Sequence, residues 1–363
     1  MTQNESSNSD SAERSSGDRD RDRRKAFRAL RNAERAIKKD DYPRVVFLCK
    51  GALRLCPKDG DVCTKARLLL SYSIPGYHLA MMNDSHRNKV WDEAMKRTIQ
   101  PNMKVLEIGT GAGMLAMMAA RAGAMVTTCE FHEVAASLAR EIVKHNGLSS
   151  RIQVLTKSSY DLRVGTHLEE PADLLFCDNF ADNFFGFNPL GSIADARLRL
   201  LKPGAPCLPT LGSVYLALGN WSRYSRYFQA TEACGFDISP AAAFAPDSKD
   251  LDIGDSQVTQ LSEGRQAFVF DFQESTLPNA GKVELELKSS QDCTVTGIVQ
   301  WIRLSLGAEL FVESRPKPGS VFFSNPRFHS LDHPRSMRAG ESLRVCARHD
   351  TQNLAVWAVD AEE

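Results

Sequence analysis

The sequence predicts an α/β domain with a parallel sheet, followed by an antiparallel β domain and preceded by a helical hairpin. Three observations lead there. Between Met103 and about Ala217, apolar strand patterns and helical patterns alternate with short connections. After Pro209 the texture changes to short β-rich runs set apart by Gly, Pro, Asn and Asp. Residues 105–124, VLEIGTGAGMLAMMAARAGA, join an apolar strand through a glycine turn to a helix of small residues.

Taken in order, residues 1–25 are Ser, Asp, Glu and Arg with almost nothing apolar, a composition that does not repay the entropy of ordering, so a disordered tail is expected. Residues 26–71 carry two helical patterns around Asp40-Asp41-Tyr42-Pro43. Phe27, Leu30, Ala33 and Ile37 fall on one face, and Val45, Val46, Leu48, Ala52, Leu53 and Leu55 follow before Pro57 closes the second pattern. DDY followed by ALRLCP resembles a tetratricopeptide hairpin, which needs a neighbour to cover its apolar face.

In residues 72–209 the runs KVLEI, AMVTTCE, RIQVLT and DLLFCD read as parallel strands, with helices expected after the first, from His132 to His145, and through Ala194 to Leu201. In such a sheet a ligand lies at the carboxyl ends of the strands. In residues 210–363 SVYLALG, QAFVFDFQ, KVELELKS, TVTGIVQWIRLSL, ESLRVCARH and LAVWAVD read as strands of an antiparallel barrel or sandwich.

Of 363 residues, 45 are Lys or Arg and 45 are Asp or Glu, so no global field draws in nucleic acid or an anionic membrane. No apolar run is long enough to span a bilayer and MTQNESSNSD lacks a signal-peptide core, so a cytoplasmic protein is expected, with a nuclear one possible through RDRDRRK. Nine scattered cysteines without C-x-x-C suggest reduced, mostly buried thiols. The eight histidines show no metal-ligand spacing, and no metal site is expected.

The glycine turn carries the chemistry. Gly109, Gly111 and Gly113 let the backbone turn sharply and come close to a flat ligand. The spacing is G-x-G-x-G; the dinucleotide fingerprint would need glycine where Met114 stands, which favours S-adenosylmethionine over NAD. Glu130, 21 residues after Gly109, ends the second strand, where a carboxylate meets two ribose hydroxyls. The domain is thus read as a Rossmann-like class I methyltransferase domain.

Upstream, His78-Leu79-Ala80-Met81-Met82-Asn83-Asp84-Ser85-His86-Arg87 resembles the H-x-x-M-x-x-D-x-x-R motif of protein arginine methyltransferases. The rest follows that family's order: VLEIGTGAG, then CE, then LKPGAPCLP leading into the family's β-barrel. CGFDIS, QLSEGRQAFVFDF, WIRLSL and LDHPRSMRAGE are similar to barrel segments of its tetratricopeptide-containing subgroup. The resemblance implies that Arg87 pairs with the cofactor carboxylate and Met81 packs near the sulfonium. It further implies that His78 and Asp84 brace the segment, that Glu107 and the glycines line the methionine end, that Glu130 takes the ribose, and that Ser159 or Asp161 takes the adenine.

The family grips the acceptor guanidinium with two glutamates on one hairpin. Here that hairpin, Cys177 to Asn188, has Asp178 in the first place and Phe187 in the second, with Asp182 as a candidate second carboxylate. Phe180, Phe184, Phe185 and Phe187 are expected to form an aromatic acceptor pocket. Where the family's barrel has T-H-W, the aligned residues are Phe322-Phe323-Ser324. The implied activity is methyl transfer to a guanidinium nitrogen of arginine in a protein or peptide, with Asp178 and Asp182 catalytic, no direct nucleic-acid binding, no membrane, and a possible homodimer. Two alternatives stay open: a cofactor-binding pseudoenzyme or interaction module, and a methyltransferase for a different acceptor.

Overall fold

In the computed structural model the described residues are 16–251, 258–274, 276–307, 309–316, 324–350 and 352–359. The chain divides into two compact units, residues 1–78 and 79–363.

The first unit is built on α1 (Ser16–Ile37), α2 (Tyr42–Leu55) and α3 (Gly60–Ser71). Asp41 caps α2 by accepting from the Arg44 N–H at 3.2 Å, with Pro43 in the first turn, and Asp59 caps α3 by accepting from the Val62 N–H at 3.0 Å. Small residues (Ala26, Ala33, Val45, Cys49, Ala52, Val62 and Ala66) fill a core with Leu30 and Leu69. Residues 16–25, expected in the tail, are instead the first turns of α1. The Arg23 guanidinium holds Asp59 at 2.7 Å and Asp61 at 2.6 Å and lies over the Phe27 ring at 5.0 Å, so ion pairs with α3 supply the anchoring that apolar content does not. Residues 1–15 lie outside the described residues.

α4 (Tyr77–Asn83) and α5 (Ser85–Thr98) lead into a five-stranded parallel sheet. Its strands are β1 (Lys104–Ile108), β2 (Met125–Glu130), β3 (Ile152–Thr156), β4 (Leu174–Cys177) and β5 (Cys207–Leu208), in the order β3-β2-β1-β4-β5. The order reverses between β1 and β4, which makes the gap beyond Ile108 and Cys177 the switch point where such sheets hold ligands. α6 (Met114–Arg121), α7 (Glu133–His145) and α8 (Pro189–Arg199) supply the crossovers. All of β4 is buried, as a central parallel strand requires, and Phe176 packs near Trp91 of α5.

Beyond Thr210 come β6 (Leu211–Trp221), α9 (Tyr224–Phe228), the short hairpin β7 (Glu232–Ala233) and β8 (Phe236–Asp237), β9 (Ser248–Asp250), β10 (Val258–Gln260), β11 (Arg265–Asp271), β12 (Gly281–Lys288), β13 (Cys293–Ser305), β14 (Phe311–Glu313), β15 (Arg327–Met337), β16 (Ser342–His349) and β17 (Leu354–Ala358). β6, β13 and β15 form the centre of a seven-stranded antiparallel sheet, and β12-β16-β17 form a second, three-stranded one. The change of texture at Pro209 therefore marks the change from parallel to antiparallel pairing, although both halves belong to the second unit.

Candidate active site

The glycine turn follows β1. Gly109, Gly111 and Gly113 have φ of +85°, +53° and +84°, values that favour glycine over any L side chain. The Gly109 and Thr110 N–H groups both donate to the Cys129 carbonyl, at 3.0 and 3.1 Å, and Gly113 caps α6 without a side chain. A Cβ on Gly109 would sit 3.4 Å from the Asn179 Cβ, so the loop faces the second residue after β4 across the switch point.

Two carboxylates bracket this turn. Glu130 ends β2 and accepts from the Gly111 N–H at 3.0 Å through Oε2 and from the His132 N–H at 2.9 Å through Oε1, which fixes its carboxylate over the loop. Glu107, one residue before the end of β1, is buried and accepts from Thr128 Oγ1 at 2.5 Å. Burial pushes its pKa up to about 8, against the Thr128 hydrogen bond, and Glu130 raises it further. The Lys157 N–H donates to the Glu130 carbonyl at 3.1 Å, which brings the end of β3 alongside. The next turn places Ser159 buried and Asp161 exposed.

On the other side of the switch point Arg87 and Asp178 form a buried ion pair across 91 positions of sequence. Asp84 caps α5 by accepting from the Arg87 N–H at 2.9 Å, which sets the direction of the side chain. Arg87 Nε donates to Asp178 Oδ2 at 2.8 Å, Nη2 donates to the same oxygen, and Nη1 donates to Asn88 Oδ1 at 2.7 Å. The Asn88 amide donates in turn to the Met82 carbonyl at 2.9 Å and the Met81 carbonyl at 3.4 Å, so half-buried Met81 is tied to the same cluster. Burial raises the Asp178 carboxyl, and Arg87 pulls it back. Asp178 Oδ1 is buried and has no hydrogen-bond partner.

The structure brings Arg87, Met81, Asp84, Glu107, the three glycines, Glu130 and Asp178 to one end of the sheet. His78 belongs to the first unit, where its ring lies 4.4 Å from that of Tyr77. Arg87 is not free for a cofactor carboxylate alone, since three of its five N–H groups already have acceptors.

Asp182 accepts from Ser324 Oγ at 2.7 Å, the Asn325 N–H at 2.9 Å and Asn325 Nδ2 at 3.1 Å, which ties the hairpin to the β domain. The expected aromatic pocket is corrected. Phe180, Phe184 and Phe185 are buried against Phe270 and Phe272, and only Phe187, 52% exposed, faces outward. The close packing needs Gly212, where a Cβ would lie 2.6 Å from the Phe184 ring and 2.7 Å from that of Phe272. Phe322 and Phe323 lie outside the described residues. His329 is buried in the β domain, with its Nε2 at 2.9 Å from Gln300 Oε1, and burial holds its pKa down at about 3.

Sequence reasoning missed Thr128, Asn88 and Asn179. Thr128 left a signal, a hydroxyl in the buried half of β2 in register with Glu107 of β1. Asn88 and Asn179 left none.

A 283-residue match, 33% identical, covers 75% of this chain and 76% of the arginine N(omega)-methyltransferase of Streptomyces achromogenes subsp. streptozoticus. The chain belongs to the arginine N-methyltransferase family. Protein arginine N-methyltransferase 7 of Oryza sativa subsp. indica is 28% identical over 275 residues, 69% of this chain, which spans 37% of that relative's length. The family model for ribosomal protein L11 methyltransferase (PrmA) matches residues 92–206, the stretch holding the parallel sheet. Among solved structures, the Trypanosoma brucei PRMT1 enzyme-prozyme heterotetrameric complex with AdoHcy shares the fold: TM-score 0.69, 22% identity, 81% of this chain and 96% of that one.

Proposed function

We propose that this protein moves a methyl group from S-adenosylmethionine to a terminal guanidinium nitrogen of arginine in a protein or peptide. The observation that carries the reading is the buried, unpartnered Asp178 Oδ1 at the switch point, opposite the glycine turn. A buried carboxylate oxygen without a donor costs free energy, and a guanidinium N–H is the donor that relieves it.

The residues fit the cofactor. The glycine turn leaves the backbone bare, the Glu130 carboxylate accepts from the Gly111 N–H beside it, and Ser159 and Asp161 follow β3, which supports ribose at Glu130 and adenine at Ser159 or Asp161. Arg87 keeps two N–H groups for a carboxylate, and buried Glu107, its pKa raised to about 8, supports a carboxyl near the methionine end of the cofactor. When bound, the cofactor supplies an electrophilic methyl on a sulfonium. Asp178 receives the acceptor guanidinium on one oxygen, aims one nitrogen at the methyl and favours localisation of the guanidinium charge on the other. Direct displacement needs no covalent enzyme intermediate. With Phe187 in the second carboxylate position, the grip on the acceptor is one-sided.

Two coarser features support further parts of the reading. The caps Asp41 and Asp59 and the run of helices α1 to α3 support a tetratricopeptide-like repeat, and a homodimer through the segment from Trp221 to Asp255 stays a proposal.

The test is incubation of the purified full chain with radiolabelled S-adenosylmethionine and an arginine-rich peptide, followed by amino-acid analysis. Label in ω-N-methylarginine is the expected result. Cofactor binding without transfer would leave a binding module, and label in another residue would leave a methyltransferase of different acceptor.

A further inference from the structure

The second half of β2, Thr128 to Glu130, is buried, and Thr128 brings there a hydroxyl that the strand itself does not need. Valine has the same shape, packs as well on a pleated sheet and carries no polar group to bury. Thr128 is nonetheless 0% exposed. It stands in register with Glu107 of β1, which puts the two side chains side by side on one face of the sheet. Thr128 Oγ1 donates to Glu107 Oε2 at 2.5 Å and is hydrogen-bonded as well to Oγ1 of Thr110, the residue between Gly109 and Gly111. A hydroxyl has one proton to give, so with that of Thr128 spent on Glu107 the donor in the second bond is Thr110.

A buried line of three side chains thus runs from the glycine turn to the acid of β1. Thr110 is also held through its backbone, its N–H donating to the Cys129 carbonyl at 3.1 Å and its carbonyl accepting from the Gly113 N–H at 2.8 Å. At the other end, Glu107 Oε1 accepts from no group among the described residues. Burial pushes the Glu107 carboxyl up, and the strongest group acting against burial is the Thr128 hydroxyl. Arg87 of α5 acts with Thr128, whereas Glu130 at the end of β2 and Asp178 after β4 act against it. The Cys129 thiol, 3.7 Å from the Glu107 carbonyl oxygen, is kept uncharged by burial.

We propose that Thr128 is a positioning residue for S-adenosylmethionine, its hydroxyl setting the Glu107 carboxyl and the glycine turn against each other in the arrangement that meets the methionine end of the cofactor. The inference rests on the reading that Glu107 lies near that end. The cofactor carries its positive charge there, on the sulfonium and the α-ammonium, and an acid meets a cation as carboxylate. By donating to the ionised form the Thr128 hydroxyl favours it, and by holding Oε2 it leaves Oε1 for the ligand. A proton on Oε2 would turn both hydroxyls round, so the charge on Glu107 and the hydrogen bonding of the turn are linked through Thr128.

The experiment is titration calorimetry of S-adenosylmethionine into the full chain between about pH 6 and about pH 9, on parent, Thr128→Val, Glu107→Gln and the double variant. The ratio of affinities between parent and Glu107→Gln cancels the cofactor's own titration and keeps the part that depends on the Glu107 charge. That ratio is expected to climb with pH in the parent. For Thr128→Val, measured against the double variant, the climb is expected at higher pH, and at about pH 7 the affinity should lie at least ~10-fold below the parent, the scale of one hydrogen bond to a charged group. Thr128→Ser keeps the hydroxyl and is expected to keep the parental profile. Thr128→Cys, a weaker donor of similar size, should fall between the two and takes the place of valine if that variant does not fold, which thermal melts establish. Parental affinity and profile in Thr128→Val, with Glu107→Gln weakened, would overturn the inference and leave the placement of Glu107 standing. Equal losses in Thr128→Ser and Thr128→Val would trace the effect to packing and overturn it as well. Parental affinity in Glu107→Gln would overturn the placement of the acid at the methionine end, and the inference with it.

Discussion

Arg87 and Asp178 are expected to behave as one unit, and a double-mutant cycle measures how far they do. Both side chains are 4% exposed, and Nε and Nη2 of Arg87 share Asp178 Oδ2. Removing one partner of a buried pair leaves an uncompensated charge and costs about 3–5 kcal/mol, whereas replacing both by apolar residues of similar volume costs far less. Asp178→Leu and Arg87→Leu should therefore each destabilise the second unit by about 3 kcal/mol or more, while the double substitution should cost no more than either single one. At roughly 2 °C of melting temperature per kcal/mol for a domain of this size, the single variants should melt about 6–10 °C lower. Asp178→Asn keeps an acceptor for Arg87 but loses the charge, so a smaller drop is expected together with loss of transfer by at least ~100-fold, the scale of one preorganised charged contact in a reacting site. The assays are calorimetric melts of the four proteins and initial rates with peptide substrate. Strictly additive melting shifts would show that the pair is not coupled, and an Asp178→Asn variant with parental kcat would show that the acceptor is held elsewhere.

Glu107→Gln tests the buried carboxyl. Its folded pKa, about 8, lies above its ordinary value of 4.5, so the folded state keeps a proton that the unfolded chain releases. Stability is then full below pH 4.5 and declines as pH rises toward 8, by about 1.4 kcal/mol per unit. Melting profiles of parent and Glu107→Gln should diverge with rising pH in favour of the variant; parallel profiles would refute the shift. Gly109→Ala forces a side chain into φ +85° beside Asn179, costs about 1–2 kcal/mol of backbone strain and should weaken S-adenosylmethionine binding at least tenfold by calorimetry. Unchanged affinity would remove the turn from the cofactor site. Asp182→Ala should lower the melting temperature through the loss of its three hydrogen bonds, about 2–3 kcal/mol, yet leave cofactor affinity unchanged. A 100-fold fall in kcat without a change in melting would return Asp182 to the acceptor.

Legibility in the sequence followed the reach of the interaction. The turn after β1 and the acid at the end of β2 were readable because φ above zero selects glycine locally and the βαβ unit fixes where the second strand ends. The start of α1 was not, because Arg23 finds Asp59 and Asp61 across some 36 residues and nothing near Arg23 announces it. The Arg87–Asp178 pair is a still longer case, in which each residue carried a role of its own and only the fold showed that they serve together.

The hairpin aromatics fail for a different reason. A glycine-bearing loop rich in phenylalanine, set after a central strand, has the same local pattern whether its rings line an open pocket or seal an interface. Phe184, with φ of +78°, turns inward onto Phe270 at 5.1 Å between ring centroids, and the deciding residue is Gly212, 28 positions on. A glycine inside a strand is the trace of such a close approach. Pairing Gly212 with the phenylalanines of the preceding hairpin is thus the step from sequence that would have moved these rings from the acceptor site to the join with the β domain.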